Sequence, residues 1–435
     1  MEYFFISDMH IGGDGALRDF DSMDELLAFL QELEQHEGVA ELIINGDAFG
    51  MWEFTTVEGM EKLEALIGQQ AALFRQFKAT GARIPITIMA GNHDYELACY
   101  PEFVARLKEY NLTLAPEIAI TRQVAGQTIW IEHGMQHDAN NRMPDYGNPY
   151  AQPVGYHITT RIVGTAGKLS DFGEGNWLKD IQSVTALTDI PSWMASNYFY
   201  REMSRPLRYL LLPFLLLFGV SVLVFIAGIL ERLGVVNFNL ITENRFFQQL
   251  GAFGDLLLLV FTVNGVVLLF LLLLAIPLFF LARDLRSTLR RYNVLGRDDS
   301  GDLLGEGSGP YIEAAGRVFA EHPDVSVFIF GHTHDVFLKT LDDGRVVLNT
   351  GTWLKLLYKV PVLFGYLLPV YYPIFQISSF RIVEEEGQLV IYYRQIHKDA
   401  PQELTWLQRL LIFTRAKPEA TPVPKRTVVN VNPSA

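Results

Sequence analysis

The sequence has almost no cysteine and no excess of positive charge. Cys99 is the single cysteine among 435 residues, which excludes an intrachain disulfide framework and suits a reducing compartment. The formal net charge is −14, so we expect no nucleic-acid partner, because binding to nucleic acid needs a basic surface. The opening stretch, MEYFFISDMH, lacks the basic region and the apolar stretch of a signal peptide. We therefore expect a disulfide-free protein without a cleavable signal.

Two long apolar segments raise the hydrophobic content to 49% of the residues. Residues 207–230 contain one charge, Arg208, near the edge, and residues 256–282 contain none. Each segment exceeds the roughly 20 residues that a helix needs to cross a bilayer. Buried core helices are the alternative, but core helices that are so long and so uniformly apolar are rare. The two segments predict a transmembrane hairpin over residues 207–282.

Arginines flank this hairpin unevenly. Arg208 at the outer edge of the first segment is accompanied, just outside the hairpin, by Arg201, Arg205, Arg283, Arg286, Arg290 and Arg291. The loop between the two apolar segments carries only Arg232 and Arg245. Because positively charged flanks stay on the cytoplasmic side, we expect a multi-pass protein of the inner (cytoplasmic) membrane with both termini in the cytoplasm.

Outside the hairpin, apolar strand patterns alternate with helical periodicity. Strands are predicted at residues 3–6, 41–44, 82–90, 127–131 and 325–330. A helix is predicted at residues 22–36, where Ser22 and Glu25 have the spacing of a capping box, and another at residues 59–78. This alternation predicts an α/β fold. Each strand ends on a short polar cluster, and ligands of open α/β sheets bind beyond the carboxyl ends of the strands, so we expect the clusters to converge.

The five clusters consist of residue types that ligate metals. They contain Asp8, His10, Asp47, Asn92, His93, His133, His332 and His334. One such residue at a strand end is usually only a polar loop residue, and the His-Thr-His pair alone would be as common on a surface as in a metal site. Five clusters together predict a metal site. Mixed carboxylate, imidazole and amide ligands suit Mn²⁺, Fe²⁺ or Zn²⁺, and there are enough of them for two divalent metal ions with a bridging carboxylate.

The motifs resemble those of the calcineurin-like metallophosphoesterase family, in the family's order. DMH (8–10), GD (46–47), GNHD (91–94), HG (133–134) and GHTH (331–334) match Asp-x-His, Gly-Asp, Gly-Asn-His-Asp/Glu, His-Gly and Gly-His-x-His. The resemblance covers residues 1–138 and about 310–397. It implies a four-layer α/β/β/α sandwich and a phosphoesterase that uses two divalent metal ions, with Mn²⁺ as our first expectation.

The resemblance also implies a role for each residue. For the first metal it implies the ligands Asp8, His10 and His334. For the second metal it implies Asn92, His133 and His332, with Asp47 as the bridge. His93 matches the histidine near the leaving group, where it would act as a general acid oriented by Asp94. The alternative for His93 is an orienting role without proton transfer.

One branch of the family offers an alternative substrate. Residues 45–54, NGDAFGMWEF, are similar to the Gly-Asp-x-Phe-x-x-Trp stretch of the UDP-diacylglucosamine hydrolases of lipid A synthesis. Those enzymes carry arginine where this chain has His93. Because of this difference, a pyrophosphatase of that type is the alternative and not our first expectation. A catalytically silent, membrane-tethered interaction module is the alternative of another class. Because all the ligand positions are filled, we expect an enzyme.

The hairpin divides the predicted catalytic domain into residues 1–138 and 283–400. Residues 139–206, which include Trp177, are predicted to form a helical cap over the site or else a connector. Residues 358–375 are apolar and aromatic but contain three prolines, which argue against a third spanning helix. We expect an interfacial or substrate-facing loop there, with a plain buried loop as the alternative.

Residues 401–435 are predicted to form an amphipathic helix and a disordered tail. Residues 404–415 set apolar side chains beside Arg409 and Arg415, a pattern typical of helices that lie on a membrane. Residues 416–435 are rich in proline, which predicts disorder. Together with the hairpin, this region predicts membrane lipids as partners and a phosphoester substrate that is lipid-linked, with simple localisation as the alternative.

Overall fold

Two β-sheets form the centre of the fold. The computed structural model describes residues 1–163, 180–184, 189–236, 243, 245–291, 309–362, 367–398 and 403–431. The strands of this part of the chain are β1 (Glu2–Ile6), β2 (Ala40–Asn45), β3 (Ile86–Met89), β4 (Leu112–Ala115), β5 (Ala119–Val124), β6 (Gln127–Glu132), β7 (Val325–Phe330), β8 (Phe337–Thr340), β9 (Val346–Asn349), β10 (Lys355–Val360), β11 (Val370–Phe375), β12 (Ile377–Glu385), β13 (Gln388–Ile396) and β14 (Arg426–Val429). One sheet has the order β14-β13-β12-β1-β2-β3-β4, the other has the order β5-β6-β7-β9-β8, and β10 pairs with β11.

The described part of the chain also contains eleven α-helices. They are α1 (Met23–Glu34), α2 (Met60–Gln69), α3 (Ala71–Gly81), α4 (Pro101–Lys108), α5 (Val154–His157), α6 (Ile190–Asn197), α7 (Arg205–Arg232), α8 (Arg245–Gln249), α9 (Ala252–Arg291), α10 (Gly309–Glu321) and α11 (Trp406–Leu411). Strands β1 to β4 run parallel to one another, and so do β6, β7 and β9. The carboxyl ends of each parallel set therefore lie along one edge of its sheet.

Alternating side chains of the strands divide the core into layers. Phe5 and Ile43 of one sheet pack with Ile131 and Ile329 of the other in a single buried cluster. Their strand neighbours, such as Ile44, pack against α1 to α4, while α10 packs on the outer face of the second sheet. This order confirms the predicted α/β/β/α sandwich, and all five predicted strands are present as β1, β2, β3, β6 and β7.

Two details of the predicted helices are wrong. Ser22 forms no capping bond at the start of α1, because its hydroxyl donates to the Trp353 carbonyl oxygen at 2.9 Å instead. The predicted helix at residues 59–78 is two helices, separated at Gln70, whose backbone is not helical (φ −116°, ψ 36°). The apolar faces of both α2 and α3 pack in the same core cluster.

Helices α7 and α9 contain the two apolar segments of the predicted hairpin. By length and composition each could cross a membrane. Only 11% of the most apolar stretch of α7 and 6% of that of α9 is buried inside the protein. The helices pack on each other, and the Asn264 side-chain amide donates to Ser221 Oγ between them at 2.8 Å. The chain therefore carries a pair of long helices whose apolar side chains mostly face outward.

Residues 358–375 are not a loop in their described part. Strands β10 and β11 pair in antiparallel register, with Pro373 opposite Leu357. A proline is tolerated in this two-stranded sheet because each strand has a free edge. Val360 and Val370 are buried with residues of α11 and with the first turns of α7, so this β-hairpin joins the sandwich to α7. Residues 363–366 lie outside the described residues.

The predicted disordered tail is also wrong in part. Strand β14 pairs with β13 at the edge of the seven-stranded sheet, and Val429 is buried in the cluster between the sheets. The stretch RTVV offers β-branched residues to an open strand edge, which composition alone does not reveal. Helix α11 is present and begins with a complete capping box between Thr405 and Gln408.

Residues 138–206 contact two different parts of the molecule. Residues before 158 lie beside the ends of β3 and β6 and are described with the site below. Further along, Ser196 Oγ donates to the Pro369 carbonyl oxygen at 2.7 Å, and the Tyr200 hydroxyl donates to that of Leu368 at 2.7 Å. Residues 164–179, including Trp177, and residues 185–188 lie outside the described part.

Candidate metal centre

The first group of candidate ligands follows β1 and β7. The ligand atoms of Asp8, His10 and His334 all lie within 4.8 Å of one another. The Nε2 atoms of the two histidines are 3.1 Å apart, and His334 Nε2 lies 3.5 Å from Asp8 Oδ1. Two imidazole nitrogens and a carboxylate facing one point make a suitable donor set for a divalent metal ion.

The second group follows β2, β3, β6 and β7. Asp47, His133 and His332 also place ligand atoms within 4.8 Å of one another. His133 Nε2 lies 3.3 Å from Asp47 Oδ2 and 3.3 Å from Asn92 Oδ1. The same Oδ2 atom of Asp47 lies 3.6 Å from His10 Nε2 in the first group. Asp47 therefore stands between the two groups, and the structure brings all seven predicted ligands together.

Backbone strain is concentrated at these residues. Nine non-glycine residues of the described chain have a positive φ, and five of them are candidate ligands: Asp8 (51°), His10 (49°), Asp47 (49°), His332 (70°) and His334 (63°). This left-handed conformation is unfavourable for side chains with a Cβ and is retained mainly at functional sites. The strained turns let each strand end direct its side chain back toward a common point.

Two glycines of the motifs are required because side chains of other motifs approach them closely. A Cβ on Gly46 would overlap the His133 ring, and a Cβ on Gly91 would overlap the Asp47 carboxylate. Each glycine therefore leaves room for a candidate ligand from another motif. This packing is the physical reason for glycine in the GD and GNHD motifs.

The hydrogen bonds of the histidines define which nitrogen is free. His133 Nδ1 lies 2.9 Å from the Asn45 carbonyl oxygen, so Nδ1–H donates there and Nε2 faces Asp47 and Asn92. His332 Nε2 lies 3.0 Å from Asp138 Oδ2. The Nδ1 atoms of His332 and His10 are buried and have no hydrogen-bond partner among the described residues. Buried polar atoms without partners are unusual, and at this donor set they fit a site that holds metal ions.

The charged candidate ligands are paired with one another. Burial lowers the pKa of His133, but the Asp47 carboxylate outweighs burial and raises that pKa to about 10. Burial acts to raise the pKa of Asp47, yet His133 and His10 hold it well below its usual value. His133 would have to lose this proton to ligate a metal ion, because only neutral imidazole ligates a metal.

His93 lies beside the first group but pairs with a different carboxylate from the one predicted. Its Nδ1 is 2.9 Å from Glu53 Oε1, and the Trp52 ring stands 4.2 Å from its ring, tilted by 35°. Burial lowers the pKa of His93, but Glu53, Asp47 and Asp94 together raise it above its usual value. The imidazole is therefore biased toward its protonated form.

Asp94 does not orient His93, and that prediction is wrong. Its carboxylate accepts hydrogen bonds from the backbone N–H of Gly91 at 2.6 Å and from that of Phe49 at 3.2 Å. Burial and the nearby Asp47 raise the pKa of Asp94 to about 7. Asp94 instead fixes the loop after β3 to the loop after β2, because both of its bonds go to backbone donors.

Sequence reasoning missed two residues of the site, Glu53 and Asp138. Glu53 lies in the NGDAFGMWEF stretch, next to Trp52 and six residues after Asp47. Asp138 is five residues after His133, at the end of the region covered by the family resemblance. An acidic residue close to a ligand motif was the available signal, but neither contact with a histidine follows from spacing along the chain.

A family model agrees with this geometry. The model for calcineurin-like phosphoesterases matches residues 1–225, which is more than half of the 435 residues and includes four of the five motifs. The chain belongs to the calcineurin-like phosphoesterase family. The family implies a phosphoester hydrolase with a site for two divalent metal ions.

Comparisons with individual proteins add little. A search of curated proteins gave no significant match. One similar solved structure is a Staphylococcus aureus protein named as a 5′-nucleotidase, in complex with α-ketoglutarate; it is 10% identical, with a TM-score of 0.30 and coverage of 95% of this chain and 57% of that chain. This chain thus spans less than two thirds of that protein's length. At this TM-score the likeness carries no argument about this chain.

Proposed function

We propose that this phosphoesterase is anchored in the cytoplasmic membrane by α7 and α9 and hydrolyses a phosphoester or pyrophosphate of a lipid-linked substrate. The observation that carries the catalytic half of this proposal is the position of Asp47 between two clusters of candidate ligands, 3.6 Å from His10 and 3.3 Å from His133. A carboxylate with two oxygens suits a bridge between two metals.

The proposed ligand sets follow the two clusters. Asp8, His10 and His334 hold one ion, whereas Asn92, His133 and His332 hold the other. Asp47 contributes to both. Mn²⁺ is the proposed metal, with Fe²⁺ and Zn²⁺ as alternatives, since the oxygen and nitrogen donors suit all three. Two divalent ions at such a site activate water for in-line attack and neutralise the charge of the phosphoryl group.

His93 is the proposed general acid. It stands at the edge of the first cluster, with its ring 4.4 Å from the His10 ring, and Glu53, Asp47 and Asp94 raise its pKa against the effect of burial, which favours the protonated imidazole. Its Nδ1–H donates to Glu53, which leaves the proton on Nε2 for the departing alkoxide. In this proposal Glu53 orients His93, while Asp94 holds the loop that carries it.

Membrane anchoring is supported by the exposed helices. The apolar stretches of α7 and α9 are almost entirely exposed on the surface of the protein, whereas a core helix of a soluble protein would be mostly buried. The contact between Asn264 and Ser221 joins the two helices by a polar bond of the kind found inside membrane bundles. The arginines outside the hairpin support cytoplasmic flanks.

A second apolar surface lies at the foot of α7. On α11 and just after it, Trp406, Leu410 and Phe413 are exposed, while Leu407 and Leu411 pack on the protein. The Trp406 ring stacks near that of Tyr209 of α7 at 6.3 Å. Paired aromatic rings at the end of an apolar helix are typical of a membrane–water interface. This surface supports a domain that rests on the bilayer.

The insertion point of the hairpin supports a lipid-linked substrate. α7 and α9 lie in the chain between β6 and β7, and both of these strands end on candidate ligands. Anchoring the sandwich at this point restricts how the metal centre faces the bilayer. A flexible tail would hold the enzyme at the membrane without that restriction. Soluble nucleotides would need neither the restriction nor the aromatic surface.

The test compares one lipid-linked phosphoester with its deacylated head group, using the full chain in the same detergent with Mn²⁺. We expect a higher kcat/KM for the lipid. Equal kcat/KM for the two substrates, with no change when Trp406 and Phe413 are both replaced by serine, would reduce the role of the hairpin to localisation. Phe253 is exposed at the start of α9, at the other end of the hairpin from Trp406, and Phe253→Ser is the matched control.

A pyrophosphatase of the UDP-diacylglucosamine type is the second candidate. The observation that favours it is the contact between Trp52, of the similar stretch NGDAFGMWEF, and His93 at the site. A UDP-linked lipid in the same assay separates the candidates, because it requires cleavage between two phosphates rather than of a single phosphoester.

A further inference from the structure

His332 has an asymmetric environment that the ligand assignment alone does not explain. Its Nε2 lies 3.0 Å from Asp138 Oδ2. Its Nδ1 is buried and has no hydrogen-bond partner within the described part of the chain. A neutral imidazole has one N–H and one lone pair. An N–H on Nε2, donated to Asp138, leaves the lone pair on Nδ1.

We propose that Asp138 is a positioning residue of the second metal, which fixes the tautomer of His332 so that Nδ1 is the ligand atom. This inference rests on the proposed assignment of His332 as a ligand. A carboxylate behind a ligating histidine fixes the orientation of the ring and raises the basicity of the ligand nitrogen. Asp138 does not itself contact the metal in this arrangement.

The other histidine of the second group is held in the opposite way. His133 Nδ1–H donates to the Asn45 backbone carbonyl oxygen at 2.9 Å, so His133 presents Nε2. The two imidazoles of one metal thus use different nitrogens, each set by its own acceptor. Only one of these acceptors is a side chain, which makes Asp138 the acceptor that a substitution can remove.

Asp138 is itself held in place by its own segment. Its carboxylate accepts hydrogen bonds from the Asn140 backbone N–H at 2.8 Å and from the Asn141 side-chain amide at 2.6 Å. With its four lone-pair positions, the carboxylate serves these donors and His332 together. Asp138 is therefore pre-oriented before any metal binds.

The same segment continues along the site. The Gly147 backbone N–H donates to the Tyr95 hydroxyl at 2.7 Å, and the Tyr156 ring stands 5.7 Å from that of Trp52, the neighbour of His93. Because residues 138–156 contact both the second ligand group and the surroundings of His93, a loss of activity on changing Asp138 would be ambiguous. Metal binding has to be the primary readout.

The test uses the full-length protein in detergent and three variants. Asp138→Ala removes the acceptor, and Asp138→Asn keeps an acceptor oxygen without the charge. Asp145→Ala is the matched control, because Asp145 lies in the same segment but its exposed carboxylate accepts only from Asn148 among the contacts that the structure shows. Bound Mn²⁺ is measured by mass spectrometry of the metal across free Mn²⁺ concentrations, and the exchange-coupled signal of paired Mn²⁺ is followed by electron paramagnetic resonance.

We expect the second Mn²⁺ of Asp138→Ala to bind about 10–100-fold more weakly, with the first Mn²⁺ retained and the coupled signal lost at limiting metal. Asp138→Asn should fall between Asp138→Ala and the wild type, and Asp145→Ala should match the wild type. Wild-type binding of both ions by Asp138→Ala would overturn the inference. Equal weakening of both ions in both Asp138 variants would overturn it as well, since that result indicates general damage. A wild-type protein that binds fewer than two Mn²⁺ would instead contradict the proposed ligand assignment.

Discussion

The metal centre and the helix pair α7–α9 depart from the usual distribution of polarity in opposite directions. At the centre, Asp8, Asp47 and His133 are no more than 2% exposed, although such groups are normally solvated. In the helix pair, apolar side chains such as Leu223 and Phe270 are at least 60% exposed. Buried polar groups and exposed apolar groups both cost free energy unless a partner is present.

The comparison identifies which partner each region needs. Charged and imidazole groups that converge without enough hydrogen-bond partners fit metal ions, whereas long helices with outward-facing apolar side chains fit lipid. The first turns of α7 pack with β10, β11 and α11 in one buried cluster, which attaches the helix pair to the catalytic domain. The two regions therefore make separate predictions, one about metal ions and one about lipid, and each can be tested alone.

The largest expected effect is on the buried polar region. Asp47→Asn should abolish hydrolysis, because an amide is a poor bridging ligand and the Asp47 carboxylate lies close to ligand nitrogens of both groups. Metal content, measured on the purified protein, should fall well below that of the wild type. Asp145→Asn, an exposed change in a neighbouring segment, should leave both quantities unchanged. An Asp47→Asn protein with two metals and full activity would remove Asp47 from the bridge.

The second prediction concerns the exposed apolar helices and tests the proposed topology by labelling of introduced cysteines, which should be all-or-none. In a Cys99→Ser background, Glu243→Cys lies between α7 and α9 and should react with a membrane-impermeant maleimide in intact cells. Asp342→Cys, in the exposed turn between β8 and β9, should react only after permeabilisation. The reverse pattern would invert the topology, and equal labelling of both sites in intact cells would contradict a spanning hairpin.

His93→Ala should leave both metals bound and slow turnover by roughly 10²–10⁴-fold if His93 is the general acid. The loss should shrink for substrates with good leaving groups such as p-nitrophenol, which need no protonation. Steady-state kinetics with a series of leaving groups measures this.

Glu53→Gln sharpens the same test. Glutamine keeps an acceptor for His93 Nδ1–H but loses the charge, so its effect should lie between wild type and His93→Ala and should follow the same dependence on the leaving group. A loss that is the same for all leaving groups in both variants would limit His93 to positioning the phosphate.

The smallest expected effect concerns the bonds between α7 and α9. Asn264→Leu removes the donor to Ser221 Oγ and to the Phe214 carbonyl oxygen and should destabilise the helix pair by about 0.6 kcal/mol per bond, the average for such interhelical bonds. Denaturation of the detergent-solubilised protein measures the change. Thr262→Val is the control, because the Thr262 hydroxyl donates within its own helix to Leu258. Equal effects of the two substitutions would mean that the interhelical bonds contribute nothing.

The sequence was sufficient to predict those parts of the molecule whose structure can be recognised within a single segment. Strands β1, β2, β3, β6 and β7 have apolar runs followed by ligand-type residues, and parallel strands of a sheet must bring such ends together. The two apolar segments were equally clear, because length and lack of charge are properties of a segment alone. Both predictions needed no knowledge of which segments would meet.

The remaining features depend on contacts between distant segments. The pairing of His93 with Glu53 rather than Asp94 is set by the loop after β2, which passes beside the loop after β3. Strand β14 forms because β13 leaves an open edge, and not because its own four residues demand a strand. The hydroxyl of Ser22 was available for a cap, but the Trp353 carbonyl oxygen lies within its reach. No spacing rule within one segment contains this information.

The central claim is a dinuclear metal centre around Asp47. Diffraction at the Mn absorption edge, on crystals of the full chain grown with Mn²⁺, tests it most directly. We expect two anomalous peaks about 3.5–4 Å apart, one beside Asp8 and His334, the other beside Asn92 and His133, with Asp47 between them. A single peak, or two peaks that Asp47 does not join, would contradict the claim.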